Sequence, residues 1–264
     1  MTLLQLVVLA VVQGITEFLP VSSSGHLVLT PVLFGWPDQG LELDVAVHVG
    51  TFGAVLVYLW RENLMMLRGL ARLVTGRVDE GARLAWLVII ASVPVVIAGF
   101  LVKQYAGDAL RTPEVIGWAF IGFGVLLYLG DRLGLTILRI PHMTAGAALW
   151  IGVAQAFALI PGASRAGTTI TMARLLGFER RDAARFSMLL SIPAIAGAGV
   201  LLGRDVLESG DAVLQTDVLL AAALAFAAAL VAIAVMMYWL QRQSYTPFVV
   251  YRVALGAAIL WYAA

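Results

Sequence analysis

Gln13-Gly14-Ile15-Thr16-Glu17-Phe18-Leu19-Pro20-Val21-Ser22-Ser23-Ser24-Gly25-His26 interrupts the first apolar run of the chain. Gln155-Ala156-Phe157-Ala158-Leu159-Ile160-Pro161-Gly162-Ala163-Ser164-Arg165-Ala166-Gly167-Thr168-Thr169 interrupts a later one. Both read Gln, then an apolar-Pro pair, then Ser three residues after the Pro. In lipid, a broken helix is tolerated only where protein or a water-filled cavity surrounds it. Matched interruptions in the two halves of a chain therefore point to a functional site.

The surroundings are those of a polytopic membrane protein. The chain is 61% hydrophobic and 12% charged, with mean hydropathy +0.95; soluble domains are nearer half apolar and a quarter charged. A net charge of +1 gives no case for nucleic-acid binding, and the absence of Cys excludes disulfides, thiolate metal sites and a Cys nucleophile. No basic stretch precedes the first apolar run, so it does not read as a cleaved signal peptide. No motif for lipidation is present.

A helix of about 20 apolar residues spans a bilayer. Six stretches come close: 44–60, 84–102, 115–129, 186–202, 218–240 and 248–262. The two broken regions, 3–33 and 143–173, are each too short for two spans and suit a pair of short helices that dip in and return. With both re-entrant, one side holds Arg61, Arg68, Arg72, Arg77, Arg83, Arg132, Arg139, Arg174, Arg180, Arg181, Arg185 and Arg242. The other holds only Lys103, Arg111 and Arg204, with the acids Asp38, Asp108, Glu114, Asp205, Glu208, Asp211 and Asp217. The cationic side is expected to be cytoplasmic. The fold expected is thus all-α, one membrane domain of two inverted-topology repeats, about 1–130 and 143–264, each a re-entrant helix pair plus three spans. Two kinked spanning helices are the alternative, and they spoil the charge asymmetry.

Several residues could carry chemistry. An ionisable Glu17 in an apolar context is a functional candidate, with Gln13 four residues earlier on the same helical face. Together they could hold a hard cation such as Mg²⁺, which takes one or two carboxylates and completes its shell with phosphate and water. Alternatively, Glu17 bonds the break's amides or an Arg. Ser23 and His26 have the spacing of a hydroxyl and its base, although Ser22-Ser23-Ser24-Gly25 is also ordinary turn and cap chemistry. The Pro161–Thr169 stretch suits an anion: Arg165 can grip phosphate with two donors, Gly162 allows close backbone approach, Ser164 and Thr169 offer hydroxyls, and a helix start offers amides. An Arg165–Glu17 ion pair is the compatible structural alternative. Asp44 and His48 share a helical face near a membrane boundary, and His142 reads as solvated. Trp60, Trp86, Tyr128, Trp239 and Tyr262 fit an interfacial belt. The small-residue stretches 194–199 and 221–229 suit close helix packing.

These residues resemble the undecaprenyl-pyrophosphate phosphatase family, the bacitracin-resistance type of bacterial integral membrane phosphatase. Its Glu/Gln-x-x-x-Glu signature is met by Gln13 and Glu17, and its Pro-x-Ser-Ser-x-Gly-His stretch by Pro20, Ser22, Ser23, Gly25 and His26. Its Pro-Gly-x-Ser-Arg-Ser-x-x-Thr signature is met by Pro161, Gly162, Ser164, Arg165 and Thr169, with Ala166 where the family has Ser. The likeness extends over the whole chain, including Tyr251-Arg252 in the last helix. The resemblance implies hydrolysis of a C55 prenyl pyrophosphate to the monophosphate and phosphate, in the bacterial inner membrane with the site open to the periplasm. This would recycle a lipid carrier for cell-wall synthesis and confer bacitracin resistance. It also implies a divalent cation, Mg²⁺ or Ca²⁺, on Glu17 and Gln13. Catalytic roles fall to Ser23, His26 and Glu17, and pyrophosphate binding to Gly162, Ser164, Arg165 and Thr169. The implied partners are the lipid substrate, the membrane and a second copy in a homodimer. A lipid-phosphate flippase using the same inverted-repeat anion site is the alternative, as is a protein that only sequesters the lipid; a Ser–His pair argues for turnover.

Overall fold

The computed structural model describes every residue except 1, 38, 75, 106–109, 111, 209–211 and 264, and side chains except also those at 41, 42, 103, 105, 197–208 and 212–214. Asp38, Asp108, Arg111, Asp211 and position 209 therefore lie outside the described residues, as do the side chains of Lys103, Arg204, Asp205 and Glu208.

Among the described residues the chain is helical throughout: α1 (Leu3–Thr16), α2 (Ser23–Phe34), α3 (Leu41–Tyr58), α4 (Trp60–Leu73), α5 (Glu80–Tyr105), α6 (Pro113–Leu133), α7 (Ala145–Ala156), α8 (Arg165–Leu175), α9 (Arg180–Glu208), α10 (Ala212–Trp239) and α11 (Thr246–Ala263). Residues 80–102, 113–133, 215–239 and 246–263 form four helices long and apolar enough to cross a bilayer. The expected span 44–60 is instead cut at Leu59, where α3 and α4 meet at 85°; counted as one broken span, the pair would bring the number to five. The expected span 186–202 lies in α9 and runs into the undescribed side chains. The helices flanking the two breaks are only 14, 12, 12 and 11 residues long, too short to span.

Local chemistry sets these boundaries. Thr2, Thr112 and Thr144 each cap a helix start by accepting an amide hydrogen bond three residues on. Ser22 and Ser164 begin α2 and α8 with φ of +71° and +73°, the only non-glycine left-handed residues among those described. L-residues avoid that region at a cost of about 1–2 kcal/mol, so both turns are held there by their surroundings.

Without a hydrophobic force between helices in lipid, close backbone approach must drive their packing. Accordingly α1 packs on α10 and α7 on α5, while α3 packs on α10 and α11 on α6. A Cβ on Gly14 would come within 2.6 Å of the Ala225 carbonyl, one on Gly50 within 2.1 Å of Ala222 and one on Gly152 within 2.3 Å of Ala91. The expected small-residue seam along 221–229 is thus real, with Ala221, Ala225 and Ala229 fully buried.

One end of the bundle is tied by a buried carboxylate. Asp131, at the end of α6, accepts from Arg174 Nε (3.1 Å) and Arg180 Nε (2.7 Å) on one oxygen and from the Tyr245 amide (3.2 Å) on the other. Arg174 also donates to the carbonyls of Asp131, Gly134 and Phe178. This knot joins α6, α8, α9 and the α10–α11 turn, so Arg174, read from sequence as a loop charge, is a fully buried structural cation. Removing one partner of such a group leaves an uncompensated charge, at about 3–5 kcal/mol. Asp131→Ala is therefore expected to lower the thermal unfolding midpoint of detergent-purified protein by many degrees, with Asp131→Asn intermediate. A midpoint unchanged in both variants would show that the knot carries no stability.

Candidate active site

The two breaks meet. Glu17, just after α1, is 8% exposed and sits opposite the first residue of α8. Its Oε1 accepts from Arg165 Nη2 at 3.0 Å, and its Oε2 accepts from Ser23 Oγ at 2.6 Å and from Gln13 Nε2 at 2.9 Å. Arg165 uses its other terminal nitrogen on the Ser187 carbonyl, 2.8 Å away. His48 presents Nε2 at 3.7 Å from Glu17 Oε2, its Nδ1 held by the Asp44 carbonyl one turn back.

Glu17, Ser23, His48 and Arg165 line one cavity of ≈ 390 Å³, whose wall also includes Ser24, Asp44, Ser164 and Ala194. It holds two carboxylates, a guanidinium, three serine hydroxyls and a histidine edge among apolar helices. α8 starts at this wall, and first-turn amides with the helix dipole favour an anion there. An anion entering could take Arg165 from Glu17, leaving the carboxylate free to accept a proton from Ser23.

Of the residues singled out in the sequence, Glu17, Ser23, Ser164 and Arg165 line the cavity together. The others do not. His26 does not reach Ser23: its Nδ1 donates to the Ser22 carbonyl at 2.7 Å, and its Nε2 meets the Tyr251 hydroxyl at 2.6 Å, with the two rings stacked. The reason is local. Once α2 starts at Ser23, the His26 ring bonds back to the carbonyl four residues earlier and turns its other edge to α11. Thr169 is buried, its hydroxyl lying between the Arg165 carbonyl and Ser187 Oγ. Gly162, at φ +92°, gives its carbonyl to Arg252 (2.8 Å) and has no room for a Cβ against Ile116. Gln13 is fully buried behind Glu17, its nitrogen donating and its oxygen Oε1 without a partner. His142, as expected, is exposed.

Sequence reading undervalued Asp44, His48 and Arg252. Helical spacing did place Asp44 and His48 on one face; only the packing of α3 turns that face into the cavity. Arg252 is 0% exposed and bonds five carbonyls: Pro20 in the first break, Gly162 and Ala163 in the second, and Ala119 and Phe120 in α6.

No group of three His, Asp or Glu stands close enough to hold a metal ion among the described residues. A cation in the cavity would meet the carboxylates of Glu17 and Asp44, with the partnerless oxygen of Gln13 buried behind Glu17. That sparse oxygen set fits a hard ion completing its shell from phosphate and water.

An integral membrane protein is thus defined whose buried polar centre is built from two broken helices. The sequence matches the family described as "Bacitracin resistance protein BacA" over residues 6–258, and the chain belongs to that family. It is 52% identical over 268 residues to undecaprenyl-diphosphatase 1 of Rhodospirillum rubrum, covering 98% of this chain and 95% of that protein. It is 51% identical to the undecaprenyl-diphosphatase of Roseobacter denitrificans, covering 100% and 99%. It is 52% identical to that of Ruegeria pomeroyi, covering 98% of each.

The geometry makes Glu17 and Ser23 the coupled pair. Groups that act as a unit lose activity to a common floor when removed singly or together. Ser23→Ala, Glu17→Gln and the double variant should converge on similar kcat/KM in a phosphate-release assay, whereas the losses from Ser23→Ala and His26→Ala should multiply. Convergence of the Ser23–His26 pair instead would mean that the catalytic arrangement reunites them.

Proposed function

We propose that the chain is an undecaprenyl-diphosphatase, a hydrolase that cleaves a prenyl pyrophosphate to the monophosphate and inorganic phosphate. The observation carrying this is the Ser23–Glu17–Arg165 chain of hydrogen bonds in a cavity among apolar helices. The names of full-length relatives at about half identity support it.

Phosphoryl transfer asks mainly for positioning and charge stabilisation. The pyrophosphate enters beside α8; Arg165 and the Ser164 turn bind its oxygens, and the tail stays among apolar helices. Ser23 Oγ attacks the terminal phosphorus as its proton passes to Glu17 Oε2, and the bond to the bridging oxygen breaks, releasing the lipid monophosphate. Glu17 gives that proton to the departing monophosphate; ionised again, it takes a proton from the water that attacks the phosphoserine and returns it to Ser23 Oγ as inorganic phosphate leaves. His26 positions α2 through Tyr251, and Thr169 and Gly162 shape the anion turn from behind. A divalent cation, Mg²⁺ or Ca²⁺, held by Glu17 and Gln13 would neutralise pyrophosphate charge. The Ser23–Glu17 bond also favours this reading over a flippase, which needs an anion site but no activated hydroxyl.

For placement in the cell, the reading is a single domain of two inverted repeats, about 1–130 and 143–264, in the bacterial inner membrane with the cavity open to the periplasm. Product release there would return carrier lipid to cell-wall synthesis and deprive bacitracin of its ligand. Supporting the repeat, Gln13 and Ser22 stand in the first half as Gln155 and Ser164 do in the second, at equal spacing. Helix α1 also packs on α10 as α7 packs on α5.

Purified protein in detergent should release phosphate from a prenyl pyrophosphate and stop when excess EDTA is added. Release that EDTA does not touch removes the cation; binding without release removes the enzyme. Arg165→Lys keeps the charge but not the fork, and should lower kcat/KM by roughly 30- to 150-fold, or about 2–3 kcal/mol, with the fold intact. A near-native Arg165→Lys enzyme would make Arg165 a counter-ion of Glu17 only. Single cysteines at positions 77 and 209 should label from opposite sides of the membrane; labelling from the same side would sink the inverted repeat.

A further inference from the structure

Helix α4 departs from α3 at 85° and presents three different faces. Its inner face is fixed to the protein. Met66 and Gly69 are buried, Gly69 lies so close to α5 that a Cβ would meet the Ala82 amide at 2.1 Å, and Glu62 pairs with Arg185 of α9. A second face is apolar and exposed: Trp60, Leu67, Leu70 and Val74, spaced as one stripe. The third carries Arg61, Arg68 and Arg72 at i, i+7 and i+11. An amphipathic helix of this kind lies in the membrane interface, with its apolar side in the acyl boundary and its cations at the headgroups.

The cationic face is concave. Trp60, Arg61, Leu64, Met65, Arg68 and Arg72 line a cavity of ≈ 330 Å³, closed at one end by Asp79. Asp79 pairs with Arg72 at 2.7 Å, while Arg61 lies over the Trp60 ring at 5.3 Å from its centroid. Neither Arg61 nor Arg68 has a carboxylate partner among the described residues. Two unneutralised guanidiniums beside an indole and two apolar side chains, next to a lipid-facing stripe, match an anionic head carrying acyl chains. We propose that this cavity is a binding site for the phosphodiester head of an anionic phospholipid, distinct from the catalytic cavity and occupied by structural lipid rather than substrate. The guanidiniums take the phosphate oxygens, and the glycerol and acyl carbons run along Leu64, Met65 and the exposed stripe. The proposal does not depend on the enzymatic reading.

Delipidated protein in detergent is titrated with phosphatidylglycerol and, separately, with phosphatidylcholine of the same acyl chains, and bound lipid is counted by native mass spectrometry. Phosphatidylglycerol is expected to be retained preferentially. Arg61→Gln/Arg68→Gln should weaken it roughly 30-fold, at about a factor of five for each cation near a membrane surface. Arg61→Lys/Arg68→Lys should keep most of the preference, and millimolar inorganic phosphate should not displace the lipid. Met65→Glu, which puts an anion on the cavity wall while sparing the arginines, should abolish the preference, and covers the case in which the double glutamine variant does not fold. Equal retention of both lipids, preference unchanged in Met65→Glu, or displacement by free phosphate would each overturn the proposal.

Discussion

A single guanidinium holds the two breaks together. Broken helices in a membrane expose carbonyls that cannot find water, and an unpaired buried polar group costs about 1–3 kcal/mol. Arg252 answers with its fork of donors, reaching Pro20 in one break, Gly162 and Ala163 in the other, and Ala119 and Phe120 between them. In return, a ring of carbonyl dipoles replaces the water an isolated cation would need. No carboxylate takes part. Lysine could not substitute, because three donors on one nitrogen cannot reach carbonyls in three directions. With the two turns fixed to each other, Glu17 on one and Arg165 on the other are brought to 3.0 Å.

The protein solves the problem of arginine in an apolar interior in three ways, and the differences assign the roles. Arg252 is saturated by carbonyls, and Arg174 by Asp131 and further carbonyls; both are fully buried. Neither can release its partners without loosening several helices. Arg165 has one carboxylate and one carbonyl, and its side chain keeps 15% exposure at a cavity wall. It alone of the three can exchange a partner for an incoming anion at small structural cost. An ion pair that is weakly committed is what a site for a charged substrate requires, since the resting pair keeps both charges compensated until the substrate arrives.

The two matched breaks were legible in the sequence, but their register was not. The proline of each break suggests that Ser23 matches Ser164. The backbone shows otherwise: Ser22 and Ser164 share the left-handed turn, so Ser23 stands where Arg165 does and Glu17 where Leu159 does. The prolines mislead because the second break places its Pro one residue further from the helix it precedes. What decides the register is the backbone conformation that starts the helix, which sequence spacing does not carry. The consequence is chemical. The helices after the two breaks begin with a hydroxyl and a guanidinium, so the polar centre is asymmetric although the breaks match. Glu17, Arg165 and Ser164 could be read as site residues from their cost in lipid. The separation of Ser23 from His26 could not, because it depends on which carbonyl the imidazole finds.

The two histidines of the membrane region show how little local geometry settles by itself. His26 and His48 use the same device, Nδ1 against the carbonyl four residues back, at Ser22 and at Asp44. A carbonyl can only accept, so in each ring Nδ1 carries the hydrogen and the neutral ring offers Nε2 as an acceptor. At His26 that acceptor meets the Tyr251 hydroxyl, which can donate, and the contact is complete. At His48 it faces the Glu17 carboxylate at 3.7 Å, acceptor against acceptor, so attraction needs a second proton on the ring. One histidine is thereby a fixed strut between α2 and α11. The other stands at the cavity as a group whose contact with Glu17 changes sign with its charge. The sequence presents both alike, as a histidine on an apolar helix; the element packed opposite makes one structural and brings the other to the carboxylate at the cavity wall.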